Sequence, residues 1–265
     1  METGASSACF YPMETEKAFL RIAQLGFTRS EIFFNSPSEL GMPFIKELAA
    51  IRDAYGIDVT SLHPFCSFAE GYNLFSSYER RFYDATESFR RYFEAAAVLG
   101  AEYIVLHGSK EKLEISPGQY AERLGKLNEI ATGFGCTVAH ENVAKYMSAS
   151  VQFMKTVRSF LGDSFKMVLD VKQARRAGVD PCEFINELGD SIVHVHLSDC
   201  DKEHDCLPPC EKGLFDFEEL FTQLERIGYS GRYIVELYSD NYSDESEILR
   251  SAKYLDGILN KVRKL

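Results

Sequence analysis

The feature that most constrains this chain is an alternation repeated eight times: short β-branched or apolar runs separated by longer amphipathic ones. The short runs lie at 6–10, 29–34, 58–63, 103–107, 137–141, 166–170, 192–198 and 233–237. The stretches between them, at 14–25, 42–55, 76–99, 117–133, 148–161, 181–189, 216–227 and 244–264, carry apolar residues at helical spacing. Strand-then-helix units, each about 33 residues long, build a parallel sheet. Eight of them fit a closed (β/α)8 barrel better than an open doubly wound sheet, which uses five or six. The reading is α/β, with 1–265 as a single barrel domain.

Local signals agree with that division. Ser116-Pro117 and Asp180-Pro181 place proline at a first helical position behind a capping side chain. Gly26, Gly56, Gly100 and Gly228 fall where helices should stop. Neither GxGxxG nor GxxxxGK[ST] follows the first run, which removes the obvious nucleotide cradles.

In such a barrel the C-terminal ends of the strands face the active site. Read in order, those ends offer His63, His107, Glu141, Asp170, His196 and Glu236. The last four lie one βα unit apart, on adjacent strands, so their side chains can converge on one point. Three carboxylates and one imidazole suit Mn2+, Mg2+ or Co2+; Zn2+, which favours nitrogen and sulfur, fits less readily. One divalent ion held by Glu141, Asp170, His196 and Glu236 is therefore expected. The bland alternative is a buried ion-pair network closed by His196 with Lys172 or Arg175.

Charge bears on partners. With 29 basic against 40 acidic residues and a net charge of −11, a duplex nucleic acid is not the expected partner. No apolar run is long enough to span a bilayer, and the N-terminal segment lacks a secretory pattern. A cytoplasmic protein is the expectation. The seven cysteines, Cys9, Cys66, Cys136, Cys182, Cys200, Cys206 and Cys210, then read as reduced thiols. Cys200, His204, Cys206 and Cys210 invite a zinc reading, but their spacing contains no CxxC.

The segments HENV (140–143), LDVKQARRAG (169–178), HVHLSD (194–199) and YIVEL (233–237) resemble the sugar-phosphate isomerase/epimerase and xylose isomerase-like TIM barrel superfamily. SLHP (61–64), VLHGS (105–109) and EKGLFDF (211–217) add to the likeness, which covers essentially the whole chain in order. The resemblance implies that Glu141, Asp170, His196 and Glu236 are metal ligands and that Glu141 and Glu236 are also the catalytic acid/base pair. It further implies a ketose or related polyol as substrate, with His63 and His107 against its hydroxyls. The sequence departs from the pattern at two places. Gln173 stands where D-x-x-H has its histidine, and an amide can bond a sugar hydroxyl but not shuttle protons. Cys210 replaces a glycine before Glu211, which leaves the shape of that loop open.

Other readings within the superfamily are a keto-polyol dehydratase, a DNA-cutting AP endonuclease and a sugar-binding barrel without catalysis. The endonuclease reading lacks a histidine at 173 and an Asp-x-His pair after the seventh strand. Arg175, with Lys172 and Arg176, could meet a substrate phosphate, but the acidic loop at 238–247 favours an unphosphorylated sugar. Phe10, Phe34, Phe65 and Tyr72 are candidates for an apolar wall. A homo-oligomer stays open.

Overall fold

The structure is a computed structural model that describes residues 1–65, 68–110 and 114–264; Cys66 lies outside them. Eight parallel strands close into a barrel: β1 (Thr3–Ser6), β2 (Arg29–Phe33), β3 (Asp58–His63), β4 (Tyr103–Leu106), β5 (Thr137–Glu141), β6 (Lys166–Asp170), β7 (Ile192–Leu197) and β10 (Arg232–Val235). β1 pairs with both β2 and β10, so no sheet edge remains. A two-stranded hairpin, β8 (Asp199–Cys200) and β9 (Asp205–Leu207), sits in the loop after β7.

Around the barrel lie α1 (Thr15–Gln24), α2 (Met42–Tyr55), α3 (Phe68–Phe75), α4 (Glu79–Leu99), α5 (Pro117–Gly133), α6 (Val151–Leu161), α7 (Val171–Arg176), α8 (Pro181–Leu188), α9 (Phe217–Arg226) and α10 (Ser246–Val262). The predicted starts and stops are met where chemistry sets them. Ser116 and Gln119 form a reciprocal capping box ahead of Pro117. Gly56 and Gly100 close α2 and α4 at φ +64° and +77°, where any side chain would be strained. Among the described residues, no helix is long and apolar enough to cross a membrane.

The differences have physical causes. The first run, placed at 6–10, is strand only over Thr3–Ser6; Ser7–Phe10 is a 3-10 turn begun by the Ser6 hydroxyl, which accepts from Ala8 N. Its apolar residues Cys9 and Phe10 are buried beneath the turn rather than in a strand. The helix placed at 76–99 begins at Glu79, with α3 a separate element before it. The segment before α6 starts as a 3-10 turn, Met147–Ala149.

Strand alternation divides the interior into two cores. One set of side chains packs outward against the helices, Leu106, Val138, Leu169, Val195 and Val235 among them. The other points inward, where Val105, Ala139 and Val168 form a small apolar cluster of their own. His107, Glu141 and Asp170 lie two residues beyond those three, on the same inward side and one layer nearer the mouth. On β7 the same step leads from His194 to His196. The register sets Asp170 level with His196.

Candidate active site

The structure brings the four strand-end ligand candidates together. One donor atom from each of Glu141, Asp170, His196 and Glu236 lies within 4.8 Å of the other three. His196 Nδ1 is 3.2 Å from Glu141 Oε1, 3.8 Å from Glu236 Oε2 and 3.9 Å from Asp170 Oδ2. All four residues are buried, Glu236 at 8% exposure the least so.

Each is held from behind. Asp170 caps α7, its Oδ1 accepting from Gln173 N at 2.9 Å, which leaves Oδ2 to face the site. Asn142 grips the Asp170 backbone twice: Asp170 N donates to Asn142 Oδ1 at 2.7 Å, and Asn142 Nδ2 donates to Asp170 O at 3.0 Å. His196 is oriented by Glu31, whose Oε2 lies 3.1 Å from His196 Nε2. Ser61 Oγ donates to the same oxygen at 2.8 Å, His194 Nε2 lies 3.2 Å from it, and Ser6 Oγ donates to Glu31 Oε1 at 3.0 Å. The imidazole thus turns Nδ1 toward the carboxylates and gives Nε2 to a buried acceptor, as metal-binding histidines commonly do.

Glu31 and Asn142 are the residues that sequence reasoning missed. The available signal for Glu31 was a glutamate within a strand, directly followed by the apolar Ile32 and Phe33. Lys172, offered by the sequence either to a buried ion-pair network or to a substrate phosphate, is in the first: its side chain is 3% exposed, with Nζ 2.9 Å from Glu236 Oε2 and 3.3 Å from Asp170 Oδ2.

His63 and His107 stand on the opposite side of Glu141. His107 Nε2 is 2.7 Å from Glu141 Oε2 and 3.3 Å from His63 Nε2; His63 Nδ1 lies 2.9 Å from Pro64 O. The loop carrying His107 is locked by Gly108 at φ +78°, where a Cβ would stand 2.2 Å from the Tyr120 hydroxyl. That hydroxyl reaches His140 Nε2 at 2.6 Å, and burial lowers the His140 imidazole to about 4. The neutral pair props the loop and the backbone of β5 together.

The charges interact strongly. Burial raises the Glu141 carboxyl, but the His107 charge and hydrogen bonds from His107, His196 and His63 hold it well below the usual carboxylate range. Burial likewise raises Glu236, and Lys172 with His196 outweighs it. Asp170 moves the other way. Burial, joined by the charges of Glu141 and Glu236, lifts it to about 6 despite Lys172.

A cavity of ≈ 290 Å³ opens above. Its floor is His63, His107, Glu141, Lys172, Gln173 and Glu236, and its walls include Tyr11, Phe33, Phe65, Leu237 and Tyr238. Gln173 lies at the cavity with its Oε1 accepting from Ala144 N at 3.1 Å, so it ties the loop after β5 to α7. Arg175 does not reach the cavity. One turn of α7 carries it to an outer depression shared with Asp201, His204 and Asn241. Of the predicted aromatics only Phe65 faces the cavity; alternation along β2 turns Phe33 inward and Phe34 into the outer core. Arg81 lies over the Tyr72 ring, 4.9 Å from its centre. Cys200 and Cys206 are buried on the hairpin and Cys210 is exposed; among the described residues they join no group of converging metal-binding atoms.

The donor set fits a hard divalent cation. Three buried carboxylates converge here, and among the described residues Asp170 Oδ2 accepts no hydrogen bond and faces one cation, Lys172, at 3.3 Å; that crowding of negative charge is costly unless a further cation answers it.

Residues 19–258 match the description of the Xylose isomerase-like TIM barrel. The chain is 27% identical over 279 residues to an uncharacterized protein of Methanocaldococcus jannaschii, covering 99% of this chain and 92% of that one. It is 24% identical over 250 residues to fructoselysine 3-epimerase of Escherichia coli O157:H7, covering 89% and 90%. Among solved structures, a D-tagatose 3-epimerase-like protein superposes with a TM-score of 0.82 at 23% identity, over 100% of this chain and 99% of the other.

Proposed function

The chain belongs to the xylose isomerase-like TIM barrel family, and from that premise we propose that it is a divalent-metal-dependent sugar isomerase or epimerase acting on a ketose or related polyol. The observation that carries the proposal is the convergence of Glu141, Asp170, His196 and Glu236 next to a sugar-sized cavity that Glu141 and Glu236 line. The likeness to fructoselysine 3-epimerase supports the same class of chemistry.

In this reading those four residues hold the ion, with Mn2+, Mg2+ or Co2+ favoured by three oxygens and one nitrogen and Zn2+ also admissible. A bound divalent ion polarises neighbouring substrate oxygens and makes the adjoining C–H more acidic. The chain supplies the rest. Glu141 and Glu236 both line the cavity, from β5 and from the end of β10. One carboxylate takes the proton from the substrate carbon, leaving an enediolate. The other returns a proton to the opposite face or to the neighbouring carbon. His107 beside Glu141 Oε2 keeps that carboxylate ionised, the form that can accept a proton. His63, His107 and Gln173 are placed to meet sugar hydroxyls, while Phe33, Leu237 and Tyr238 exclude water from one side.

An unphosphorylated substrate is favoured. Lys172, the one lysine or arginine that lines the cavity among the described residues, is committed to two carboxylates, and Arg175 faces elsewhere. The test is metal analysis of the purified protein, followed by a screen of ketoses, ketose phosphates and inososes with Mn2+, Mg2+ and Co2+. Conversion with conserved substrate mass is expected; loss of water would make the enzyme a dehydratase. Absence of bound metal, together with no turnover on metal addition, would sink the proposal.

A further inference from the structure

The two oxygens that Asp170 and Glu236 present to His196 Nδ1 are the same two that Lys172 holds. Asp170 Oδ2 is 3.9 Å from the imidazole nitrogen and 3.3 Å from Lys172 Nζ; for Glu236 Oε2 the distances are 3.8 and 2.9 Å. An ammonium therefore sits at the edge of the position where ligand atoms converge. We propose that Lys172 is a resident counter-cation of the carboxylate ring, competing with a divalent ion for Asp170 and Glu236 and so setting how tightly that ion is held.

The position of Lys172 follows from the chain. α7 starts directly on Asp170, its own N-cap, so the second residue of the helix is still over the barrel mouth. The side chain reaches the ring with its ammonium 4.9 Å from the centre of the Tyr238 ring, a cation–π contact that closes its outer side. At 3% exposure the charge has lost nearly all its water, so it stays only because both carboxylates answer it.

The charges agree with this role. With the imidazoles neutral, as a metal-binding His196 must be, Glu141, Asp170 and Glu236 carry three negative charges against the one positive charge of Lys172, a remainder that one divalent ion cancels. Without Lys172 the ring is more negative by one unit at very short range, where screening by solvent is weak. A lysine that merely props the carboxylates makes the opposite prediction, since removing it would loosen the ligands and weaken metal binding. The sign of the change decides between the two.

The inference rests on the metal-site reading above. The experiment is calorimetric titration of Mn2+ into the full chain, stripped of metal, as parent, Lys172→Met and Lys172→Arg. The methionine variant is expected to bind Mn2+ at least about tenfold more tightly than the parent. The arginine variant, which keeps the charge, stays within about threefold of it. The gain in melting temperature on adding Mn2+ should also be larger for Lys172→Met. If that variant does not fold, Lys172→Gln carries the same test, since its amide can bond a carboxylate without charge. Equal or weaker Mn2+ binding by a folded, uncharged variant overturns the proposal. Sugar turnover by the parent is measured separately. Turnover with no affinity gain in the variant defeats only the role of Lys172. An affinity gain with no turnover defeats only the enzyme reading. No Mn2+ binding in any form defeats both.

Discussion

Glu31→Gln tests whether the site is built from beneath as well as from its rim. Glu31 is fully buried and gathers His194, His196, Ser6 and Ser61. A glutamine can keep much of this pattern by turning its oxygen toward the Oε2 side, where Ser61, His194 and His196 converge, and its amide toward Ser6. What it removes is the negative charge opposite His196 Nε2 at 3.1 Å. Partners that orient a metal-binding histidine are typically worth 10- to 100-fold in affinity, roughly 1.4 to 2.7 kcal/mol. Calorimetry with Mn2+ should therefore show a dissociation constant weaker by about that factor, with circular dichroism unchanged. Glu31→Ala is the harsher control. It leaves four polar groups facing a void, costs roughly 3–5 kcal/mol, and should lower the melting temperature by ~6 to 20 °C. A folded Glu31→Gln protein that binds Mn2+ as tightly as the parent would show that Glu31 does not act through His196.

Further outcomes follow from the same contacts. Glu141→Gln and Glu236→Gln should retain sugar binding while turnover, followed by chromatography of the products, falls by about 10²–10⁴. Asn142→Ala strips both hydrogen bonds from the Asp170 backbone and should cost about 1–3 kcal/mol in a urea melt, with weaker Mn2+ binding. The His140 imidazole is lowered from 6.5 to about 4 by burial, so between those values the unfolded chain takes up a proton that the folded chain refuses. Its contribution to stability is complete above pH 6.5 and is lost as pH falls toward 4, by about 3 kcal/mol in all. The stability gap between the parent and His140→Gln should shrink by that amount from pH 7 to 4, and a gap independent of pH would contradict the argument.

Much of this molecule was legible from one dimension because the signals are periodic. Eight runs separated by helices imply a closed parallel sheet, and α2, α5, β3, β5 and β6 fall at the expected residues since capping and turn residues mark their ends. The period of two along a strand also carried the site: side chains at the ends of adjacent strands, on the inward side, must converge. Where periodicity lapses, the reading lapses with it. The segment at 6–10 looks like a strand because it is apolar, yet a serine hydroxyl turns it after Ser6.

The tertiary structure alone decided which polar residues outside that pattern belong to the site. Lys172 and Arg175 lie three positions apart on one short helix. The direction in which α7 leaves β6 buries the first against Asp170 and Glu236 and sends the second to the surface. Glu31 is more than one hundred residues from His196, and only closure of the barrel sets its carboxylate beneath that imidazole. Sequence determines the spacing of side chains along an element, whereas the azimuth of a helix and the pairing of distant strands depend on packing by the whole chain. The convergence of the four strand-end residues was therefore readable in advance, and the residues that orient them, Glu31 and Asn142, were not.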